Sequence, residues 1–212
     1  MKPKAIILEI DGVLADNSHR LHHITGEYFR DEKTKEYPTL KPFVKPDWDS
    51  FYAAIGRDKI NKWCEELIWR FWETIDGQND GLHRTKIIIL TGRPQKYRKQ
   101  TKEWVFDCNI GEYMLFMRPD FLPSPSSMVT ICHHCDPKRD KSAPTMDVGT
   151  NCLCMVKDDR KPDNRPAWEV KKEIYEKDIR DKYDILFVIE DDCECVTMYR
   201  GLGLVCLDVG KK

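Results

Sequence analysis

Apolar residues along the chain fall into short continuous runs and longer runs with helical spacing. Five short runs predict β-strands: "AIIL" (5–8), "KIIIL" (86–90), "YMLF" (113–116), "ILFVI" (185–189) and "LGLVCL" (202–207). Between them, three segments have apolar residues at every third or fourth position, the spacing of amphipathic helices: 60–75, 95–108 and 167–183. Strands that are apolar throughout are typical of a sheet buried on both faces. The pattern predicts an α/β fold, a parallel sheet with helices on both faces.

Two polar segments interrupt this alternation. Residues 17–58 are polar and contain several prolines, and residues 120–157 are rich in Pro, Ser, Cys and His without a long periodicity. A chain of 212 residues is long enough to bury one full core. We therefore interpret residues 1–212 as a single domain, with a small cap insertion at 17–58 and a second insertion at 120–157.

Composition narrows the class of protein. The net charge of −1 gives no overall attraction to nucleic acid or membranes, so any recognition of phosphate must be local. No apolar run approaches the roughly 20 residues that span a bilayer, and the N-terminal residues do not have the pattern of a signal peptide. We expect a cytoplasmic protein without membrane contact. The Gly-x-x-x-x-Gly-Lys-Ser/Thr phosphate loop is absent, so we expect no nucleotide kinase centre.

Polar residues follow three of the predicted strands at the point where each strand ends. Ligands of open α/β sheets bind beyond the carboxyl ends of the parallel strands. Carboxylates, a hydroxyl, a glycine amide and a guanidinium fall there, in this set: Glu9, Asp11, Thr91, Gly92, Arg93, Glu190 and Asp191. Lys171 lies on the predicted helix that precedes the fourth strand. We expect these side chains to converge on one edge of the sheet.

The residue types in this set favour phosphoryl chemistry. Carboxylate oxygens from separate strands suit Mg²⁺, which shares its coordination shell with water and phosphate. A hydroxyl, an amide and a guanidinium can hold phosphate oxygens, and a lysine offsets the repulsion between a carboxylate and a phosphate dianion. One carboxylate can attack phosphorus to form an acyl-phosphate, while a second serves as general acid and then as general base.

Four motifs in this order carry a family resemblance: "ILEIDGVLAD", "ILTGRP", "EVKKEI" and "VIEDD". They resemble the haloacid dehalogenase superfamily, and most closely the 3′-phosphatase domain of phage-type polynucleotide kinase/phosphatase. Four further stretches resemble the same subgroup: "ADNSHRLHHI", "DWDSFYAA", "LFMRP" and "MYRGLGLVCL". The resemblance covers the chain except residues 120–157. It implies a Mg²⁺-dependent phosphomonoesterase that acts on a nucleotide or on the 3′-phosphate of a polynucleotide end.

The resemblance also implies a role for individual residues. The catalytic set comprises the nucleophile, the acid/base and the stabilising lysine: Glu9, Asp11 and Lys171. The set that binds phosphate or substrate is Thr91, Gly92, Arg93, Arg118 and Arg165. The magnesium ligands are Glu9, Asp11 and Asp191, with Glu190 as a further candidate.

Glu9 departs from the family pattern, because the resemblance implies aspartate at the nucleophile position. The added methylene moves the attacking oxygen by roughly 1 Å, and a misplacement of about that size can cost on the order of 100-fold in rate. Two interpretations stay open: a working phosphatase, or a catalytically weakened protein that binds phosphate or a nucleotide. An engineered exchange of aspartate for glutamate would also account for Glu9.

The second insertion carries a candidate zinc site. The chain has nine cysteines, an odd number that internal disulfides cannot use completely. Four of them supply the soft ligands of a tetrahedral structural zinc: Cys132, Cys135, Cys152 and Cys154. His133 or His134 could replace one of them, and a flexible loop with reduced thiols is the alternative. A third functional interpretation makes this module the binding site for a partner, with the α/β core as its scaffold. The oligomeric state is not encoded in any of these patterns.

Overall fold

The computed structural model of the protein describes residues 2–25, 45–73, 85–122 and 161–210. The four cysteines of the predicted zinc site, Cys132, Cys135, Cys152 and Cys154, lie outside these residues.

The chain divides into two units, of which the larger combines Met1–Asp120 with Asn164–Lys212 and the smaller is Phe121–Asp163. The described part of the smaller unit is an antiparallel bridge between Phe121 and Pro162.

Seven strands occur among the described residues. In chain order they are β1 (Lys4–Leu8), β2 (Ala15–Asp16), β3 (Lys59–Ile60), β4 (Lys86–Pro94), β5 (Tyr113–Arg118), β6 (Asp184–Glu190) and β7 (Cys206–Asp208). Five of them form one sheet in the order β5-β4-β1-β6-β7, and every neighbouring pair is parallel. Strands β2 and β3 form a separate antiparallel pair. The predicted α/β fold with a parallel sheet is confirmed.

Six α-helices connect the strands of the described chain. They are α1 (His22–Thr25), α2 (Trp48–Ala53), α3 (Lys62–Glu73), α4 (Arg98–Asp107), α5 (Ala167–Ile174) and α6 (Cys193–Gly201). Short 3₁₀ turns cover Ser18–Arg20, Ile55–Arg57 and Gln95–Tyr97, and one π-helical turn, Tyr175–Ile179, extends α5. No helix among the described residues is both long and apolar enough to cross a membrane.

Helices on both faces explain why the strands are apolar throughout. In β1, Ile6 and Leu8 pack into one cluster of buried side chains, together with residues of α3 and α4. Ile7, between them in sequence, points to the other face and packs into a second cluster with residues of α6. Successive side chains of a strand face opposite sides, so a sheet covered on both sides selects an apolar residue at every position.

The last predicted strand is shorter than its apolar run. Residues 202–204 close helix α6 instead: the Leu202 amide donates to the Met198 carbonyl at 3.1 Å, and Gly203 adopts φ +81°. That left-handed conformation suits glycine, so the run turns there and β7 begins only at Cys206.

The register of the sheet brings three strand ends to the same level. Leu8 of β1 lies opposite Ile89 of β4 on one side and opposite Ile189 of β6 on the other. The residues that follow these positions, beginning with Glu9 and Glu190, therefore emerge at one edge of the sheet.

Candidate active site

Glu9 is the first residue beyond β1 and is 5 % exposed. Its Oε1 accepts a hydrogen bond from the Ile10 amide at 2.7 Å, and its Oε2 accepts one from the Gly92 amide at 3.4 Å. The same Oε2 forms an ion pair with Nζ of Lys171. Both carboxylate oxygens of Glu9 therefore have partners within the protein. The partners of Oε2 are the Gly92 amide and the Lys171 ammonium, two groups that the sequence pattern associates with phosphate binding.

Lys171 reaches this edge from helix α5 and is 2 % exposed. Besides Glu9, its Nζ contacts Oε2 of Glu190 at 2.6 Å. Burial alone lowers the pKa of this ammonium, but the carboxylates of Glu9 and Glu190 outweigh burial and raise its pKa well above the ordinary value. Lys171 is therefore charged at neutral pH.

Asp191 follows β6 directly, beside the close turn at Gly12. Burial, reinforced by the negative charge of Glu9, raises the pKa of Asp191 to about 7. Burial also raises the pKa of Glu190 to about 7, although Lys171 opposes that shift. One buried ammonium thus pairs with two carboxylates, and a third carboxylate, that of Asp191, lies close enough to be affected by their charges; we call this group the lysine cluster: Lys171, Glu9, Glu190 and Asp191.

Gly12 leaves the space that Asp191 occupies. It has φ +82°, and a Cβ atom at this position would lie 1.8 Å from Oδ2 of Asp191. Both the backbone conformation and the close approach require a residue without a side chain. The glycine in "IDG" therefore has a steric role at this edge of the sheet.

Asp11 lies in a second buried group, the arginine cluster, formed by Asp11, Arg20, Asp58 and Arg93. Arg93 donates from Nε to Oδ2 of Asp11 at 3.0 Å and from Nη2 to Oδ1 at 2.6 Å. Nη2 of Arg20 also donates to Oδ1 of Asp11. On the other side, Asp58 accepts from Nε of Arg20 at 2.7 Å and from Nη2 of Arg93 at 2.8 Å. Each aspartate therefore joins both arginines.

The arginine cluster keeps Asp11 ionised. Burial alone raises the pKa of Asp11, but the charges and hydrogen bonds of Arg93 and then Arg20 outweigh burial and lower its pKa below the ordinary value. Because guanidinium groups occupy both of its oxygens, the side chain of Asp11 would have to exchange an arginine for a metal ion in order to act as a ligand. The metal-ligand role of Asp11 stays a prediction.

The predicted phosphate-binding residues gather around Gly92. Thr91 is buried, and its Oγ1 accepts a hydrogen bond from the Arg93 amide at 3.3 Å. Arg118 donates from Nε to the Gly92 carbonyl at 3.1 Å and from Nη1 to the Arg165 carbonyl at 2.6 Å. The geometry thus joins all five residues of this set into one neighbourhood.

Two of these arginines have roles in the described chain that the sequence pattern did not indicate. Arg93 is fully buried and holds Asp11, and Arg165 pairs from Nη1 with Glu173 on α5 at 2.6 Å. Their contacts with a substrate phosphate stay predictions.

Sequence reasoning missed Arg20 and Asp58. They are 38 positions apart and meet Arg93 only in the folded chain, so no local spacing links them. The available signal was the stretch "ADNSHRLHHI", which contains Arg20 and takes part in the family resemblance. Asp58 ends a 3₁₀ turn in the polar segment 17–58, where an aspartate usually indicates a turn.

The lysine cluster has the donor chemistry of a magnesium site. In the described residues, no three His, Cys, Asp or Glu side chains form a metal-binding group as they stand. Mg²⁺ is commonly bound by one or two carboxylates and completes its shell with water and phosphate oxygens, so Glu9 and Asp191 are sufficient in kind. Their mutual repulsion, which contributes to the raised pKa of Asp191, is what a bound dication would relieve.

Comparisons with known proteins point in the same direction as the motifs. The family described as "polynucleotide kinase PNKP phosphatase domain" matches residues 134–212. No curated protein matches the chain.

Two solved structures have a similar fold. A chain in "Structure of the Pnkp1/Rnl/Hen1 RNA repair complex" is 20% identical, with a TM-score of 0.54 over 99% of this chain and 43% of its own length. A chain in "Structure of Pnkp1/Rnl/Hen1 complex" is 19% identical, with a TM-score of 0.55 over 100% of this chain and 48% of its own length. The protein thus spans less than half the length of both of these chains. The family match confirms the resemblance to the phosphatase domain of PNKP, a phosphatase of the haloacid dehalogenase type, over residues 134–212, which contain the last two of the four motifs, "EVKKEI" and "VIEDD". The two solved structures show the similarity of the fold.

Proposed function

We propose that this protein is a Mg²⁺-dependent phosphomonoesterase that removes phosphate from the 3′ end of a nucleotide or polynucleotide. The observation that carries the proposal is the pair of carboxylates beyond β1. Glu9 lies beside a buried ammonium, and Asp11 lies between two guanidinium groups. One strand end thus holds two acids in different charge environments, which is how one site can contain both a nucleophile and an acid/base.

In the proposed reaction, a carboxylate oxygen of Glu9 attacks phosphorus as the bond to the leaving oxygen breaks, which yields an acyl-phosphate and an alcohol. Asp11 supplies the proton to the leaving oxygen and later removes one from the water that attacks the acyl-phosphate. Before substrate binds, Arg20 and Arg93 keep Asp11 ionised. A substrate phosphate that draws either guanidinium away would raise the pKa of Asp11 and let it carry that proton.

Lys171 and a bound magnesium ion would each offset part of the negative charge of the substrate phosphate. Glu9 and Asp191 are the residues that would hold Mg²⁺, which when bound neutralises negative charge on the transferred phosphoryl group. Lys171 pairs with Glu9 and Glu190 in the structure. These contacts support a role for its ammonium in offsetting the repulsion between a phosphate and the attacking carboxylate.

A specific contact favours the second candidate, a phosphate- or nucleotide-binding protein with little turnover. Oε2 of Glu9 already occupies the Gly92 amide and the Lys171 ammonium. A phosphate that used these donors would have to displace the carboxylate. If that displacement also moves Glu9 out of line with phosphorus, the site binds phosphate without hydrolysing it.

The nature of the substrate rests on the relatives. The matched family is the phosphatase domain of a polynucleotide kinase, and the two solved structures are described as complexes of Pnkp1 with Rnl and Hen1, one of them as an RNA repair complex. We therefore propose a nucleic-acid end as the partner of this site. The cysteines of the described chain are free thiols, which agrees with a reducing cytoplasm.

Phosphate release tests this proposal. Incubation with Mg²⁺ and 3′-phosphorylated oligonucleotides or 3′-mononucleotides is expected to release inorganic phosphate, and Asp11→Asn is expected to abolish the release. Tight Mg²⁺-dependent binding of the same compounds without phosphate release would instead support the binding protein. Neither release nor binding would contradict both candidates.

For the second insertion, we propose a structural zinc held by Cys132, Cys135, Cys152 and Cys154. Metal analysis of the purified protein is expected to find one zinc per chain, and Cys132→Ser is expected to lose it. Zinc-free protein with the stability of the zinc-treated protein would contradict this assignment.

A further inference from the structure

Three aromatic side chains, which we call the aromatic strip, form a continuous row that runs from an exposed ring to two half-buried rings: Trp48, Tyr52 and Tyr97. The rings of Trp48 and Tyr52 are stacked, with centroids 5.9 Å apart and an interplanar angle of 23°. The ring of Tyr52 lies 5.0 Å from that of Tyr97 at an angle of 33°. Trp48 is 49 % exposed. Tyr52 and Tyr97 also pack against the core, so Trp48 is the ring of the row that offers a large face to solvent.

The aromatic strip begins at the catalytic edge. Phe51, the neighbour of Tyr52, accepts a hydrogen bond at its carbonyl from Nη1 of Arg20 at 3.3 Å, and its ring lies 4.0 Å from the Arg20 guanidinium. That guanidinium also holds Asp11. Tyr97 belongs to the 3₁₀ turn that directly follows β4, the strand that carries Thr91 and Arg93. Both elements of the aromatic strip are thus attached to residues of the candidate active site.

Two charged side chains, Lys96 and Asp49, lie beside Tyr97 at one end of the aromatic strip. Nζ of Lys96 lies 5.0 Å from the Tyr97 ring centroid. Asp49 accepts hydrogen bonds from that ammonium at 2.7 Å and from the Tyr97 hydroxyl at 2.8 Å. Burial, together with the negative charge of Asp11, raises the pKa of Tyr52. Its phenol is therefore neutral at physiological pH and offers an uncharged ring.

We infer that the aromatic strip stacks unpaired bases of a single-stranded polynucleotide whose 3′-phosphate lies at Glu9 and Asp11. This inference rests on the proposed function and adds the form of its substrate. Aromatic rings interleaved with a cation are the surface that single strands recognise, since every base has a flat face and every linkage carries a negative charge. A mononucleotide would occupy the catalytic edge but leave Trp48 uncovered. Bases paired in a duplex are already stacked and would not be available to the strip.

Binding without catalysis provides the first test. A 5′-labelled single-stranded hexanucleotide with a 3′-hydroxyl is titrated with the full protein, and binding is measured by fluorescence anisotropy. Trp48→Ala is expected to raise Kd by about 5- to 150-fold, which corresponds to the loss of one stacking ring. Trp48→Phe keeps a ring and is expected to recover most of the affinity. Trp63→Ala is the matched control, because Trp63 is 44 % exposed on α3 and lies outside the aromatic strip.

Placing 2-aminopurine at each base in turn shows whether stacking is the cause. Its fluorescence is expected to fall on binding at one or two positions near the 3′ end, and Trp48→Ala is expected to remove that decrease. Equal Kd values for the unmodified protein, Trp48→Ala and Trp63→Ala would overturn the inference. Tighter binding of a blunt duplex than of the single strand would overturn it as well.

The ratio of two rates separates this inference from the proposed function. We expect kcat/KM for a 3′-phosphorylated hexanucleotide, divided by that for a simple aryl phosphate, to fall in Trp48→Ala and not in Trp63→Ala. Phosphate release from neither compound, with Trp48-dependent binding retained, would contradict the phosphatase alone. Release from both compounds with a ratio unaffected by Trp48→Ala would contradict the aromatic strip alone.

Discussion

The two charge clusters at the edge of the sheet are built in opposite ways. The arginine cluster pairs two cations with two carboxylates. In the lysine cluster one cation pairs with two carboxylates, and the third carboxylate, Asp191, lies near them without an ion pair to Lys171. The pKa of Asp11 is lowered in the first, and the pKa values of Glu190 and Asp191 are raised to about 7 in the second. Burial alone raises the pKa of each of these carboxylates at two neighbouring strand ends, so they differ because arginines surround one and other carboxylates surround the rest.

The arginine cluster is balanced in charge, whereas the lysine cluster has an excess of negative charge that a bound cation would reduce. In the arginine cluster each charge has an opposite partner at hydrogen-bond distance, so the charges balance, although Nη1 of the buried Arg93 has no hydrogen-bond partner in the described part of the chain. In the lysine cluster the excess of negative charge is unfavourable until a proton or a metal ion compensates it. The comparison assigns positioning of Asp11 to the first cluster and recruitment of a cation to the second.

Removal of Asp58 is expected to cause the largest decrease in the free energy of unfolding, because it leaves the arginine cluster with more positive than negative charge. Asp58→Ala leaves two buried guanidiniums with one carboxylate, and loss of one partner from a buried ion pair costs about 3–5 kcal/mol. Urea denaturation is the measurement. Asp49→Ala is the control, since Asp49 is 79 % exposed in its ion pair with Lys96, and such pairs contribute at most about 1 kcal/mol. Equal losses for the two variants would show that the arginine cluster is not a buried network.

Gly12→Ala tests the space beside Asp191, with a smaller expected effect. Gly203→Ala is a matched control because Gly203 has φ +81°, close to the +82° of Gly12, but has open space where a Cβ would be. The control is expected to lose about 1 kcal/mol from backbone strain alone. Gly12→Ala is expected to lose about 1–3 kcal/mol more, because its Cβ would overlap Oδ2 of Asp191. The same denaturation assay decides this, and similar losses in the two variants would mean that Asp191 moves away freely.

Binding of magnesium at the lysine cluster is expected to stabilise the fold. This effect is smaller than the losses expected for Asp58→Ala and Gly12→Ala. At ten times Kd, a ligand that binds only the folded state adds about 1.4 kcal/mol, or roughly 3–6 °C in Tm for a chain of this size. Asp191→Asn is expected to remove this shift. Asp181→Asn is expected to keep it, because the Asp181 side chain is 92 % exposed and lies outside both clusters. A shift that persists in Asp191→Asn would place the metal elsewhere.

Sequence patterns were sufficient for the sheet and for the lysine cluster. Continuous apolar strands imply a covered parallel sheet, and the ends of such strands meet by necessity, so Glu9, Glu190 and Asp191 could be assigned to one edge. The arginine cluster depends on tertiary contacts instead. Arg20 and Asp58 come from the polar segment before α3, whose residues show no periodicity that would relate them to Arg93. The aromatic strip could not be predicted for the same reason. Trp48 and Tyr97 belong to separate elements, and only the fold brings their rings into one row.

The central claim is that Glu9 is the nucleophile of a working phosphatase. Phosphate release by three proteins tests this claim most directly. The unmodified protein, Glu9→Asp and Glu9→Gln are compared with Mg²⁺ and a 3′-phosphorylated oligonucleotide. We predict release by the unmodified protein and by Glu9→Asp, and none by Glu9→Gln, because the amide cannot form the acyl-phosphate. Release by Glu9→Asp alone would contradict the claim, since the glutamate would then hold a phosphate site that it does not turn over.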